Sequence, residues 1–217
     1  MSLPFTKNRP SPVNEGALVS EATHRSLALP KMVAYCEQTS SLRVLDLGRA
    51  MDKNIHFFTP YDARLTVADL FNVCSTKGLA QLDDDDSESR KRQRIFQEAL
   101  PYDEESKFDL VLAWDLLNYL SPMDLDGFME RLKQYCRPGT LLFALIATRK
   151  QIPAEPRPFQ ILGPEQILYS RAESRQRPAP GYHEQELLRR LKGFRVDSRY
   201  LLRNGMQEYL FQYSISG

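Results

Sequence analysis

Apolar residues in this chain fall in short dense runs, and between the runs their spacing lengthens to three and four. Residues 43–47 (RVLDL), 65–70 (LTVADL), 108–114 (FDLVLAW) and 141–147 (LLFALIA) each read as a buried strand. The last is apolar throughout, as in a parallel sheet covered on both faces. Residues 52–58 predict a short helix closed by Thr59-Pro60, and 71–79 a second. Leu125, Phe128, Met129, Leu132 and Tyr135 mark a longer helix behind Ser121-Pro122, a capping residue followed by proline at the first helical position. Residues 94–100 (RIFQEAL) read as a further short strand. Residues 182–191 are amphipathic and end at Lys192-Gly193. Residues 194–202 and 206–215 are strands joined at Asn204-Gly205, a two-residue hairpin signal. Near the N-terminus, Ser20-Glu21-Ala22-Thr23 starts a helix with Leu27, Met32, Val33 and Cys36 on its apolar face, which Pro30 kinks or divides.

This alternation predicts an α/β fold: a single doubly wound, mostly parallel, seven-stranded sheet closing in a C-terminal antiparallel hairpin. Residues 1–19, with Pro4, Pro10, Pro12 and Gly16, read as a flexible arm ahead of one domain over 20–217. Residues 148–181 carry six prolines with arginines interleaved, which makes them an insertion too long for an ordinary connection.

Composition narrows the function only by exclusion. A chain of 217 residues suits one full-sized core, and a net charge of +1 gives no global attraction to a polyanion. No apolar run approaches a membrane span, and the first residues lack the apolar core of a secretory signal. Cys36, Cys74 and Cys136 lie far apart, in neither a metal nor a disulfide pattern, so the expected home is the reducing cytoplasm. Four acids at 83–86 run into the basic stretch 90–94, read as an exposed loop whose halves neutralise each other. Residues 149–203 hold twelve basic and six acidic side chains, an excess of six. That suits an anionic-substrate or nucleic-acid surface and equally a solvated face or an oligomer contact, and the lack of interleaved aromatics disfavours nucleic acid.

Taken in order, residues 43–54 (RVLDLGRAMDKN), 65–70, 97–102 (QEALPY), 108–120, 137–145 and 193–213 resemble the class I S-adenosylmethionine-dependent methyltransferases. The resemblance covers about residues 40–215. It implies a Rossmann-like sheet and S-adenosylmethionine as cofactor. It places Asp46 at the cofactor's amino acid moiety, with Gly48 turning the backbone beneath it and Ala50 in the same loop. It gives Asp69, followed by Leu70, to the ribose hydroxyls, and puts Gln97, Glu98 and Ala99 near the adenine. Trp114, at the end of the fourth strand, packs against the cofactor. Read without the family, Asp69 caps the following helix, Asp46 bonds the turn amides and Trp114 is core.

The chain departs from the family in its glycine-rich motif, where Ala50 and Asp52 stand at glycine positions. Two functions follow, and a third, an RNA-binding methyltransferase, rests only on the basic residues 149–203. One is a methyltransferase acting on an unidentified small-molecule or protein acceptor. The other is a non-catalytic binding or scaffold protein that keeps the fold and has lost the cofactor. Methyl transfer rests mainly on placement, so no single base is implied. The acid–base candidates are His24, His56, His183, Asp115 and Tyr119, with His24 on the N-terminal helix that in this fold covers the cofactor. Trp114-Asp115-Leu116-Leu117 stands where base-amino methyltransferases carry an Asp-Pro-Pro-Tyr or Asn-Pro-Pro-Tyr segment, which disfavours that chemistry.

Overall fold

The computed structural model describes residues 21–83, 86–103, 105–170 and 175–214. The arm expected over 1–19 lies outside these, as do Ser20, residues 84–85 of the acidic run and residues 171–174 of the insertion. In chain order the elements are β1 (Glu21–Arg25), α1 (Leu29–Gln38), β2 (Arg43–Asp46), α2 (Asp52–Phe58), β3 (Arg64–Val67), α3 (Leu70–Thr76) and α4 (Ser89–Ala99). There follow β4 (Phe108–Trp114), α5 (Pro122–Lys133), β5 (Cys136–Ala147), β6 (Gln151–Pro153), β7 (Phe159–Gly163) and β8 (Gln166–Ser170). The chain closes with β9 (Gln176–Pro178), α6 (Glu184–Arg190), β10 (Phe194–Leu201) and β11 (Met206–Tyr213).

Among the described residues six strands build the central sheet, in the order β10-β11-β5-β4-β2-β3. β3, β2, β4 and β5 run parallel, and β11 is antiparallel to both its neighbours. From β2 the chain winds outward to β3, then crosses back to β4 and on to β5. This reversal leaves a crevice outside the carboxyl ends of β2 and β4, the place where open α/β sheets receive ligands. Helices α3, α4, α5 and α6 cover one face of the sheet. Helices α1 and α2 cover the other, together with a small antiparallel sheet ordered β1-β8-β7.

The seventh strand expected over 94–100 is instead the second half of α4. Its buried positions are Arg92, Ile95, Phe96 and Ala99, a spacing that only a helix brings to one face. The acidic-to-basic stretch is therefore not a loop through its basic half. Arg92 is buried there, donating from Nε to Asp124 Oδ1 at 2.7 Å. The longer helix α5 starts as expected, with Ser121 Oγ accepting from the Asp124 amide at 3.2 Å.

The N-terminal helix expected from Ser20 begins only at Leu29. Glu21–Arg25 is a strand paired with β8, and Pro30 sits in the first turn of α1, where its missing N–H is no loss. Pro30 therefore opens the helix and does not kink it. The insertion is not an irregular excursion either: β6 pairs with β9 and β7 with β8, and Phe159, Ile161, Ile167 and Tyr169 join the second core. The hairpin between β10 and β11 is present, with Gly205 at φ +81°, but its turn takes residues 202–205, not two. Cys36, Cys74 and Cys136 are free and buried, and burial pushes each thiol up to about 12. Among the described residues no helix is long and apolar enough to cross a membrane.

Glu208 of β11 fastens the N-terminal segment to the sheet. It is fully buried, and its Oε2 accepts from the amides of Leu27 at 2.7 Å and Ala28 at 3.1 Å. Its Oε1 lies 3.1 Å from His24 Nε2. Burial alone would raise its pKa, but the bonds from His24, Leu27, Ser26 and Ala28 outweigh it and hold the carboxyl below its ordinary value. A carboxylate with a lowered folded pKa contributes stability above its unfolded value, about 4.3, and loses it as pH falls through the folded value. Glu208→Gln is expected to cost about 1–3 kcal/mol at pH 7 and to flatten the acid limb of stability. Urea melts from pH 3 to 7 read both effects, and an unchanged acid limb would exclude this role.

Candidate functional site

The crevice at the winding reversal is built from three strand ends. β2 delivers Asp46 and the turn through Gly48, the residue after β3 delivers Asp69, and β4 delivers Trp114 and Asp115. Asp46 is fully buried and both its oxygens are in use. Oδ1 accepts from the Gly48 amide at 2.9 Å and from Trp114 Nε1 at 2.7 Å. Oδ2 accepts from Asn54 Nδ2 at 3.2 Å. Burial raises the Asp46 carboxyl pKa, and these three bonds oppose the rise.

Asn54 was not singled out among the sequence candidates, although it shares the buried face of α2 with Phe58. Its Nδ2 also donates to Phe159 O at 3.1 Å, and its Oδ1 accepts from the Ile161 amide at 2.9 Å. One buried amide thus ties β7 of the insertion to Asp46. The indole of Trp114 completes the arrangement. It stacks on Phe159 with centroids 5.6 Å apart and planes within 5°, and meets Phe143 edge-on at 5.7 Å. Trp114 holds this place with φ +48°, a left-handed backbone that a bulky side chain rarely adopts.

The need for glycine at 48 follows from this contact. Gly48 does not use a positive φ. A Cβ there would stand 2.9 Å from Trp114 Cδ1 and 3.2 Å from Asp46 Oδ1. Gly48→Ala is expected to cost about 1–3 kcal/mol by overpacking, and less than that in a Trp114→Ala background. Equal costs in both backgrounds, measured by urea denaturation, would place the indole elsewhere. Ala50 and Asp52, the two departures from the family pattern, are exposed, and neither takes a positive φ. Asp52 lies in the first turn of α2, where an acid is favourable.

A strap from the insertion lies across the crevice. Tyr119 Oη donates to Glu155 O at 2.9 Å, Arg49 pairs with Glu155 at 3.3 Å, and the Arg157 amide reaches Asp115 Oδ2 at 3.4 Å. The space left among Gly48, Asp69, Trp114, Pro156 and Arg157 is about 20 Å³. That is little more than one water needs, while a nucleoside-sized ligand requires several hundred Å³. Asp69 faces this space from the N-cap position of α3, with φ +40° and without a side-chain cap bond. The space directly beside Gly48 does not take a nucleoside-sized group as it stands. The acid at the end of β2 is committed to the protein, and Trp114 and residues 156–157 fill the rest.

Of the residues assigned from the sequence, Asp46, Gly48, Asp69 and Trp114 are brought together here. The rest are not. Leu70 is fully buried and turned into the core against α4 and α5. Gln97, Glu98 and Ala99 end α4 at the opposite, amino edge of the sheet, because the segment is a helix running away from the crevice. Glu98 pairs there with Lys77 at 2.6 Å, and Ala99 is core. Of the acid–base candidates, His56 and His183 are exposed and His24 lies on β1 beside Glu208. Asp115 and Tyr119 are buried at the crevice's far side. Among the described residues no group of three His, Cys, Asp or Glu side chains is placed to hold a metal.

No family model matches the chain, and no curated protein sequence matches it. Solved structures of similar course include an S-adenosylmethionine-dependent methyltransferase from Clostridium acetobutylicum, 14% identical, covering 86% of this chain and 90% of that one with a TM-score of 0.49. The N-methyltransferase NodS from Bradyrhizobium japonicum is 13% identical over 86% of this chain and 94% of its own, with a TM-score of 0.45. The Burkholderia thailandensis 1,6-didemethyltoxoflavin-N1-methyltransferase is 15% identical over 87% and 79%, with a TM-score of 0.47.

Proposed function

We propose that this chain is a methyltransferase-like protein that has closed its cofactor crevice and acts as a non-catalytic binding module. The observation that carries this reading is the Trp114 indole, bonded to Asp46, packed over Gly48 and stacked on Phe159, with about 20 Å³ left beside it. Calorimetry and thermal shift with S-adenosylmethionine and S-adenosylhomocysteine at millimolar concentration test it. A ligand at a hundred times its dissociation constant adds about 2.7 kcal/mol to stability, so specific binding would be visible. No binding that depends on Asp69 is expected, and saturable binding lost in Asp69→Ala would overturn the reading.

A second reading, an S-adenosylmethionine-dependent methyltransferase with a small-molecule or protein acceptor, is favoured by Asp69. Its carboxylate faces the crevice and forms no side-chain hydrogen bond among the described residues. That reading requires Trp114 and residues 156–157 to leave the crevice before the cofactor enters. Under either reading we place the protein in the cytoplasm, in keeping with three free, buried cysteines.

A further inference from the structure

Beside the closed crevice, on the hairpin side, lies a cavity of about 440 Å³. Asp115 and Tyr119 wall it from the turn after β4, Arg149 and Arg157 from the insertion, Tyr169 from β8 and Met206 from β11. Its size is that of a small-molecule site. Two features point to a particular chemistry. Asp115 is 5% exposed, and its Oδ1 has no hydrogen-bond partner among the described residues. A buried acceptor without a donor is costly and rare in folded proteins. Two arginines line the same cavity, Arg157 beside Asp115 and Arg149 nearer the hairpin. The Arg157 guanidinium lies 5.4 Å from the Tyr169 ring centroid, and the Arg149 chain is laid over Gly205. Neither forms an ion pair with a carboxylate of the described residues.

We propose that this cavity binds a free amino acid, its ammonium donating to Asp115 Oδ1 and its carboxylate held by Arg149 and Arg157. One acceptor lacking a donor shares the cavity with two guanidinium groups that form no ion pair among the described residues, and an amino-carboxylate is the smallest ligand that answers both. The tyrosine and methionine walls take an apolar or aromatic side chain. Burial raises the Asp115 carboxyl to about 7 despite the opposing Arg157 amide and charge, and an ammonium beside it supplies the missing compensation. The inference deepens the binding-module reading and rests on it.

The test is a thermal-shift screen of the full chain against the twenty common L-amino acids at up to about 10 mM, followed by calorimetry. At least one is expected to bind saturably. Its decarboxylated amine and its deaminated acid should each bind at least about tenfold more weakly. Asp115→Asn and Arg149→Ala should each weaken it by a similar factor, and Arg149 is exposed, so that variant tests the site without disturbing the core. No binding by any amino acid, unaltered binding in both variants, or equal binding of the deaminated acid would overturn the inference. S-adenosylhomocysteine, which itself carries an amino-carboxylate, separates the two proposals. Binding lost in Asp69→Ala but kept in Asp115→Asn would refute the closed crevice. Binding lost in Asp115→Asn but kept in Asp69→Ala would support the amino-carboxylate site.

Discussion

Trp114→Ala is expected to lower folding stability by about 3–5 kcal/mol. Three losses add up to this. The indole leaves a core in which it is 3% exposed, stacked on Phe159 and edge-on to Phe143. Asp46 loses its shortest hydrogen bond, from Nε1 at 2.7 Å, and keeps a buried carboxylate oxygen with one fewer donor. The space beneath the strap opens by nearly the volume of the ring. Trp114→Gly makes a useful comparison, because the backbone at φ +48° is strained for any residue with a Cβ. The glycine variant should be the more stable of the two by about 1 kcal/mol. Urea denaturation of the three proteins measures both differences. A loss below about 1 kcal/mol for Trp114→Ala would mean that the indole is not packed in the crevice. The same variant carries a gain if the crevice is closed mainly by the indole, since S-adenosylhomocysteine should then bind the alanine variant and not the parent.

Much of this arrangement was open to reading in the sequence, but only the part encoded locally. The strand before Gly48, the acid two residues ahead of it, the acid after β3 and the capped start of α5 all depend on neighbours within a few positions, where spacing and residue type decide the structure. The closure of the crevice does not. It depends on Asn54 meeting Phe159 and Ile161, and on Trp114 meeting Asp46, pairs that only the folded sheet brings together. The missing strand is a local error of a different kind. RIFQEAL has its apolar residues at 95, 96, 99 and 100, a helical set, but so short a piece fits either period until Arg92 is seen to share its face. The glycine motif is a third case. Ala50 and Asp52 stand where the resemblance has glycine, yet both are exposed and neither takes a positive φ, and the indole that fills the crevice stands on another strand.

The second large effect concerns Asp115, and its sign is opposite to that of Glu208. Burial lifts the Asp115 carboxyl to about 7, against an unfolded value near 3.9. Between those values the folded protein binds a proton that the unfolded chain has lost, so stability falls as pH rises, by up to about 1.4 kcal/mol per pH unit. The full loss by pH 8 is about 4 kcal/mol as an upper bound. The charged groups facing Asp115 are Arg157, whose amide and charge lower its pKa, and, around the adjoining Tyr119, Arg177 and Glu155. Burial pushes the Tyr119 hydroxyl up, which keeps it protonated through this range, and arginine keeps its charge there. Asp115→Asn removes the titrating group at nearly constant shape. Urea melts of the two proteins from pH 4 to 8 should therefore diverge as pH rises to about 7 and run parallel above it, the asparagine variant gaining on the parent across that window. Parallel curves throughout would mean that Asp115 is already compensated. A saturating amino acid ligand should close the gap in the parent protein alone, because its ammonium stabilises the carboxylate that the asparagine variant lacks.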